Sequence, residues 1–173
     1  MYPPFEEVCS LYSAELNGLS VEAVERHPGD DQARWNARQI VEHLVLTHRL
    51  SGAAFRERLR KDRPTKTRAT LAQKWMKVGV CGLGYFPSGR EAPPQVLPAL
   101  TPEQTLNGSA IAFTLTNSFQ TLDELLDSCA ERFGKQKIAS HHVLGPLCAD
   151  QWQKFHLAHA RHHMKHVRNA RRA

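Results

Sequence analysis

The histidines near the C-terminal end of the chain are the residues whose type and spacing could do chemistry. Residues 152–167 read WQKFHLAHARHHMKHV and hold five of the ten histidines in the sequence. On a helix, at about 100° per residue, four of them fall within one arc of roughly 80°; these are His156, His159, His163 and His166. Apolar side chains share this arc, so the histidines are predicted to face the core. A buried imidazole needs a hydrogen-bond partner or a metal ion, because an unpaired buried polar group costs about 1–3 kcal/mol.

The spacing of two of these histidines favours a metal site. His159 and His163 are four residues apart, a separation that brings two side chains of a helix together. The third ligand would have to come from another helix, and His43 is the histidine predicted to lie on an inward face elsewhere. With a rise of about 1.5 Å per residue, His43 and His163 share one level only if their helices run antiparallel.

Three neutral imidazoles bind zinc, nickel or iron(II) well, and three protein ligands leave coordination positions open for a reaction. We therefore expect His43, His159 and His163 to hold one divalent metal ion. His166 and His156 are expected to be additional ligands or hydrogen-bonding neighbours of the ligands. Two alternatives stay open: hydrogen-bonded core histidines, and a histidine-rich helix face that takes up metal ions opportunistically.

Helices must position these residues, and the first two are clearly marked in the sequence. The first helix is predicted to begin near Pro4, with a bend or interruption at Asn17-Gly18. The second is predicted to take Asn36 as its N-cap and to run to about Lys61, because Pro64 cannot continue it.

The second helix is expected to carry His43 on its inward face. Arg38 and Glu42 are predicted to turn outward, and His48 is predicted to lie at the rim, about 140° from His43. The predicted inward stripe comprises Ile40, His43, Leu44, Thr47, Leu50 and Ala54.

A long crossover, over about residues 63–117, is predicted to follow the second helix. Residues 71–80 are a candidate short helix, and glycines and prolines interrupt the segment after it, among them Gly82, Gly84 and Gly89. Residues 109–117 fit either a helix or a strand, and the pattern alone does not choose between them.

The last two helices follow this crossover. The third is predicted to begin at a Thr121-x-x-Glu124 capping box and to close at Gly134. A turn through residues 141–146 leads to the fourth, which should start around Ala149. Four amphipathic helices with a long middle connection predict an all-α four-helix bundle with a crossover between the second and third main helices.

Length and composition predict one domain over residues 1–173 in a soluble globular protein. The chain is 41% hydrophobic and 23% charged, and no apolar run approaches the roughly 18 residues of a membrane span. The acidic N-terminus lacks the pattern of a secretory signal. Four scattered cysteines without a CxxC pair suit reduced thiols, so we expect a cytoplasmic location.

The net charge of +6 comes largely from two basic clusters, residues 56–68 and 165–172. Both are predicted to lie at the C-terminal ends of helices, where cations complement the helix dipole and stay solvated. No nucleic-acid-binding module or aromatic platform accompanies them, so binding to nucleic acid is not expected.

Two blocks of the chain resemble a known family. Trp35 precedes His43 by eight residues within WNARQIVEHL, and residues 141–166 read HHVLGPLCADQWQKFHLAHARHHMKH. These blocks resemble the DinB-like four-helix bundles, in the branch whose last helix carries a His-x-x-His-His motif. The resemblance implies an up-down-down-up bundle that forms a homodimer. It also implies a divalent metal ion held by His43, His159 and His163.

The resemblance further suggests a reaction. Some members of the family are transferases or isomerases that use bacillithiol, mycothiol or glutathione, with the metal thought to lower the pKa of the thiol. Two residues depart from the family pattern: His166 stands where relatives commonly carry Gln, and Cys148 stands where they commonly carry Thr.

We therefore expect a metal-dependent enzyme for a small-molecule substrate, with thiol-dependent S-transfer as the candidate reaction and a low-molecular-weight thiol as the second cofactor. The sequence identifies no catalytic acid or base beside the site. The alternative is a non-catalytic helical bundle that binds a small ligand or a protein partner, with the metal absent or structural.

Overall fold

The computed structural model describes residues 1–87, 91–102 and 104–171. Within these residues it contains six α-helices and a two-stranded sheet: α1 (Pro3–Leu16), α2 (Val21–Glu25), α3 (Ala37–Lys61), α4 (Leu71–Lys77), α5 (Gly108–Phe133), β1 (Ala139–His141), β2 (Gly145–Leu147) and α6 (Ala149–Arg171). Short 3-10 turns cover Pro28–Asp30 and Pro94–Val96, and a π-helical turn covers Val78–Gly82. Gly89 of the predicted loop and Arg172 of the predicted basic tail lie outside the described residues.

The predicted boundaries of α3 are confirmed. The Asn36 side chain accepts a hydrogen bond from the backbone N–H of Gln39 at 2.9 Å, and the Gln39 side chain accepts from the Asn36 N–H at 3.1 Å. This reciprocal pair satisfies two of the N–H groups that a helix start leaves without partners. At the other end Asp62 adopts a left-handed conformation with φ 50°, and the helix stops there.

The predicted start of the third long helix is wrong. Helix α5 begins at Gly108 with Asn107 as its N-cap, so Thr121 and Glu124 lie inside the helix and form no capping box. The undecided segment 109–117 is the first part of this helix. Its apolar residues pack against α1 and α3. This burial stabilises a helix that starts before Thr121 and continues past it, although Thr-x-x-Glu is typical of a helix start.

Residue contacts give the direction of α3 relative to α6. His43 contacts His163 and His48 contacts His156, so the contacts step in opposite directions along the two helices. Further along, Phe55 contacts Trp152. The two helices are therefore antiparallel, as the metal hypothesis required.

The other helix pairs complete the topology. Helix α3 runs parallel to α5, because His48 pairs with Ser118 near one end and Asp62 pairs with Arg132 near the other. Helix α1 is antiparallel to α5, because its Phe5 packs on Phe119 while the chain just beyond its end lies at the start of α5. The bundle is up-down-down-up, and the segment between α3 and α5 is the predicted crossover.

Two apolar clusters make up the core, with a polar layer at the level between them. One cluster contains apolar side chains from the first part of α3 and the last part of α6. The other contains Phe55 and apolar side chains from the hairpin and the first part of α6. The buried histidines of the two helices lie between these levels: His43, His48, His156 and His159.

A β-hairpin replaces the simple turn predicted before α6. Strands β1 and β2 pair antiparallel, with Ala139 opposite Leu147 and His141 opposite Gly145. Arg58 of α3 donates to the carbonyl of Ile138 at 2.8 Å, which ties the start of the hairpin to the bundle.

Both basic clusters reach the C-terminal ends of helices, as predicted. Arg58, Arg60 and Lys61 occupy the last turn of α3, and Arg168 and Arg171 the last turn of α6. Among the described residues, no helix combines the length and apolar character that crossing a membrane requires.

Candidate metal centre

Three histidines from two helices converge at one point. His43 comes from α3, and His159 and His163 come from successive turns of α6; each offers a ring nitrogen within 4.8 Å of the other two. The Nε2 atom of His159 lies 3.1 Å from Nε2 of His43 and 3.0 Å from Nε2 of His163. The face, the spacing and the level predicted from the sequence therefore meet in the structure.

The orientation of His43 is set by the crossover. Its Nδ1 atom lies 2.8 Å from the backbone carbonyl oxygen of Val96, and a carbonyl oxygen can only accept. The Nδ1–H therefore donates to Val96, and in the neutral ring Nε2 carries a lone pair directed at the other two histidines. An oriented imidazole of this kind is the usual form of a metal ligand.

The close approach of the three Nε2 atoms fits a cation. A proton on Nε2 of His159 can be directed at only one of its two neighbours, and His43 has no Nε2 proton to offer. Nitrogens bound at about 2.0–2.1 Å to a tetrahedral zinc ion would lie about 3.3–3.4 Å apart, close to the separations observed. The donor set and its spacing therefore suit a divalent metal ion.

Burial keeps these imidazoles in the neutral form that metals bind. Burial lowers the pKa of His43, while its hydrogen bond to Val96 acts in the opposite direction. Burial and then the charges of its neighbours lower the pKa of His159 well below its usual value. Burial, with the charge of His43 as the second cause, lowers the pKa of His163 to about 2. All three rings are therefore neutral near physiological pH, the form in which an imidazole can present a lone pair to a metal ion.

Aromatic rings surround the cluster. Phe86 stacks on His159 at a centroid distance of 4.9 Å, and Phe155 stacks on the same histidine at 5.6 Å. Trp35 lies 5.1 Å from the ring of His43 and 6.4 Å from that of His163. These rings limit the access of water to the nitrogens.

A cavity of about 1060 Å³ opens beside the three histidines. Its walls come from α3, α4, the crossover, the hairpin and α6, and most of them are apolar. Leu50 and Ala54, predicted to face the core, line this cavity instead. They are exposed because the described part of the crossover leaves that part of α3 uncovered. Side chains that define the cavity are Trp35, Met76, Val80, Phe86, Trp152 and Phe155.

The converging set of ring nitrogens does not include the two accessory histidines. His166 is exposed, and its Nε2 lies 3.4 Å from Nε2 of His162 rather than beside the three converging nitrogens. His156 is fully buried and packs against His48 and Trp152, and it is not among the described residues that line the cavity. Their predicted roles as additional ligands or neighbours stay predictions.

The prediction that His48 lies at the rim is wrong. This side chain is 3% exposed, and its Nδ1–H donates to the hydroxyl of Ser118 at 2.8 Å, while that hydroxyl donates to the carbonyl of Leu115. Helix α5 packs over the face of α3 that carries His48. The prediction considered the faces of α3 alone and so could not include burial by a second helix.

Arg38 is also buried, although it was predicted to point outward. Its guanidinium pairs with Glu25 and Glu42 and donates to the carbonyl of Ala99 at 3.0 Å. Glu42 in turn accepts from the N–H of Ala99 at 3.2 Å. This pair therefore anchors the crossover segment that carries Val96.

Two residues of the site escaped the sequence analysis. Phe86 and Val96 belong to the crossover, and neither has a spacing that relates it to the histidines. Trp35 was singled out because it lies in a block that resembles the family.

The fold and the site define a class of protein: an all-α bundle with a crossover, in which two antiparallel helices bring three histidines together beside a large apolar cavity. The model of the DinB superfamily matches residues 5–167, and the chain belongs to that superfamily. No curated protein and no solved structure gives a significant match to the chain. The narrower branch with a His-x-x-His-His last helix stays a prediction.

Proposed function

We propose that this protein is a metal-dependent enzyme in which His43, His159 and His163 hold one divalent ion, zinc, nickel or iron. The observation that carries the proposal is the convergence of three Nε2 atoms at the wall of the cavity. A divalent ion bound there would supply a Lewis acid that lowers the pKa of a coordinated thiol or water.

The chain's own residues prepare the site in three ways. The carbonyl of Val96 orients His43, so this ligand is held before any ion arrives. Burial keeps the imidazoles neutral. Phe86 and Phe155 stack against His159 and limit the contact of its ring with water.

The cavity supports a small-molecule substrate with an apolar body. Ligand pockets in proteins are commonly about 300–1,000 Å³ and mainly apolar with a few polar groups, and this cavity is of that kind. Its volume leaves room for a substrate and a second small molecule together.

We propose a low-molecular-weight thiol as that second molecule and S-transfer as the reaction. A thiolate is a good ligand for zinc and nickel, and the family resemblance suggests thiols as co-substrates. The four cysteines of the chain do not serve this purpose, because none of them lies among the described residues that line the cavity.

A non-catalytic binding role is the competing proposal. Glu91 is the one carboxylate among the described residues that line the cavity, so few groups besides histidine could transfer a proton there. A protein that only stores or carries an apolar ligand would need no such group. Turnover of substrate by metal-loaded protein distinguishes the two proposals.

We also propose a homodimer in a reducing, cytoplasmic environment. Leu71 and Trp75 are 75% and 76% exposed on α4, and a second copy would cover such an apolar surface. Free thiols at Cys9, Cys81, Cys129 and Cys148 support the compartment. Light scattering at micromolar concentration tests the dimer, with Trp75→Ser as the variant expected to weaken it.

The metal proposal is tested by elemental analysis of protein purified without a histidine tag. We expect close to one divalent ion per chain, and loss of it in His43→Ala, His159→Ala and His163→Ala. His27→Ala is the control, because it removes a histidine of the loop before α3, outside the cluster. Retention of the ion in all three cluster variants would overturn the proposal.

The thiol proposal needs a separate measurement. Cobalt-substituted protein should show sulfur-to-metal charge-transfer absorption when glutathione or another physiological thiol binds, and the band should disappear in His163→Ala. A spectrum that no such thiol changes would overturn S-transfer while leaving the metal site intact.

A further inference from the structure

His141 is a second histidine at the cavity, on the hairpin rather than on a helix. Its Nδ1 atom lies 3.2 Å from the backbone nitrogen of Val143 and 3.3 Å from that of Leu144. Both N–H groups donate, so Nδ1 must accept and carries a lone pair. The proton of the neutral ring therefore sits on Nε2.

The ring of His141 stays neutral near physiological pH. Burial, with the neighbouring His142 as the second cause, lowers the pKa of His141 to about 3. Its Nε2–H is consequently a fixed, uncharged hydrogen-bond donor. Among the described residues this N–H has no hydrogen-bond acceptor, and the ring lines the cavity.

The hairpin that carries His141 is held firmly against α4. Lys77 donates to the carbonyl of Pro146 at 2.8 Å, and Gln73 donates to the carbonyl of His142 at 3.4 Å. Gly145, which pairs with His141, adopts φ +70°, and a Cβ there would come within 2.7 Å of the Gln73 amide oxygen. The position of His141 is therefore set before a ligand binds.

One aromatic ring separates His141 from the histidine cluster. Phe155 lies 4.5 Å from the ring of His141 and 5.6 Å from the ring of His159, measured between centroids. The two histidine rings are therefore within about 10 Å of each other, a span that a ligand with one aromatic ring and a substituent at each end can bridge along the cavity wall.

The charge of the cavity wall restricts what His141 can bind. No lysine or arginine stands among the described residues that line the cavity, so a carboxylate at the His141 end, away from the proposed metal ion, would lack a compensating charge. A neutral carbonyl oxygen meets the single N–H donor without that cost.

We propose that His141 is a substrate-positioning residue whose Nε2–H binds a neutral carbonyl oxygen of the substrate, at the far side of an aromatic body from the group that meets the histidine cluster. This inference rests on the proposed metal site for the second contact only. It names the substrate class: a small aromatic ketone, ester or amide.

The first test is the tautomer. Protein labelled with ¹⁵N-histidine and observed by NMR should show His141 with its proton on Nε2, with no titration from pH 8 to pH 5. His141→Phe identifies the signal. A proton on Nδ1, or titration within that range, would overturn the proposal.

The second test uses three probes of one shape with cobalt-substituted protein. These are 4-(mercaptomethyl)acetophenone, 4-ethylbenzyl mercaptan, which lacks the carbonyl, and 4-(mercaptomethyl)benzoate, which carries a charge. We expect the ketone to bind about threefold to tenfold more tightly than either of the others, the range that one net hydrogen bond provides.

Two isosteric variants separate binding from hairpin structure. His141→Asn retains an oxygen near the Nδ1 position and so keeps the hairpin contacts, whereas His141→Gln places an N–H near the Nε2 position. The preference for the ketone should vanish in His141→Asn and return in part in His141→Gln, with metal content unchanged in both. An unchanged preference in His141→Asn would assign His141 a purely structural role.

A metal-free control distinguishes the His141 proposal from the metal proposal. 4-Methylacetophenone carries no thiol and should still shift the His141 Nε2 signal in metal-free protein. If it does so while no thiol perturbs cobalt, then the metal chemistry fails and the His141 assignment stands. If it causes no shift, the His141 assignment fails.

Discussion

A hydrogen bond of 2.8 Å joins Nδ1 of His43 to the backbone carbonyl oxygen of Val96, across 53 residues of sequence. The bond connects α3 to the crossover and decides which nitrogen of His43 faces the other two histidines. Glu42, one residue before His43, holds the same segment through the N–H of Ala99. The crossover is thus part of the site and not only a connection between helices.

The first prediction concerns this anchor. Glu42→Ala removes the acceptor for Ala99 and loosens the segment that orients His43, so the affinity for zinc should fall by about tenfold to a hundredfold. Competition with a chelator of known affinity measures it. Glu57→Ala is the control, since Glu57 lies on the same helix and makes only exposed ion pairs with Arg60 and Lys61. Equal affinities for the two variants would contradict the role given to the crossover.

The second prediction uses Trp35 as a reporter. Its ring lies 5.1 Å from His43, so a bound cobalt or nickel ion should quench its fluorescence at short range. Titration of metal-free protein should lower the emission, and Trp35→Phe should lose most of the change. Trp75→Phe should keep it, because Trp75 is exposed on α4. Quenching that survives in Trp35→Phe would place the ion elsewhere.

The third prediction is a loss of stability in mild acid. Burial, with the charge of His43 as the second cause, lowers the pKa of His48 from 6.5 to about 3 in the folded protein. Below pH 6.5 the unfolded chain therefore binds one more proton than the folded chain at this position. The free energy of unfolding should fall by about 1.4 kcal/mol per pH unit from this residue, or about 2 kcal/mol between pH 6.5 and 5.

Urea denaturation of metal-free protein at several pH values measures this dependence. His48→Asn retains an N–H for Ser118 but does not titrate, so its free energy of unfolding should fall less steeply with acid than that of the wild type. Parallel pH profiles for the two proteins would show that His48 is already protonated in the folded state.

The fourth prediction concerns the first residue of α5. A Cβ added at Gly108 would overlap the carbonyl oxygen of Leu16, and the Gly108 N–H donates to the carbonyl of Leu19 at 3.0 Å. The overlapping carbonyl belongs to the backbone and the hydrogen bond holds Gly108 in place, so neither side can move away easily. Gly108→Ala should therefore lower the free energy of unfolding by more than about 3 kcal/mol. Gly82→Ala is the control, as its nearest neighbour would lie 3.9 Å away. Urea denaturation measures the free energy of unfolding of both variants. A difference below about 1 kcal/mol between them would contradict the prediction and show that α1 and α5 can move apart at that cost.

Much of the site could be predicted from the sequence, because it depends on periodicity within single helices. The spacing of His159 and His163 places both on one face of a helix whatever surrounds it. The cap at Asn36 and the stop after Lys61 set the level of His43, and that level required an antiparallel partner. These are local features, and the structure agrees with each of them.

Other features depend on contacts between segments far apart in the chain, which no local pattern contains. Burial of His48 follows from the packing of α5, and the start of α5 at Gly108 follows from its packing on α1. The orientation of His43 by Val96 and the donor at His141 depend on backbone groups of the crossover and the hairpin. The sequence by itself determined which histidines share a face. The tertiary structure decided which nitrogen His43, His48 and His141 present, because the proton of each ring is placed by the partner that folding brings to it.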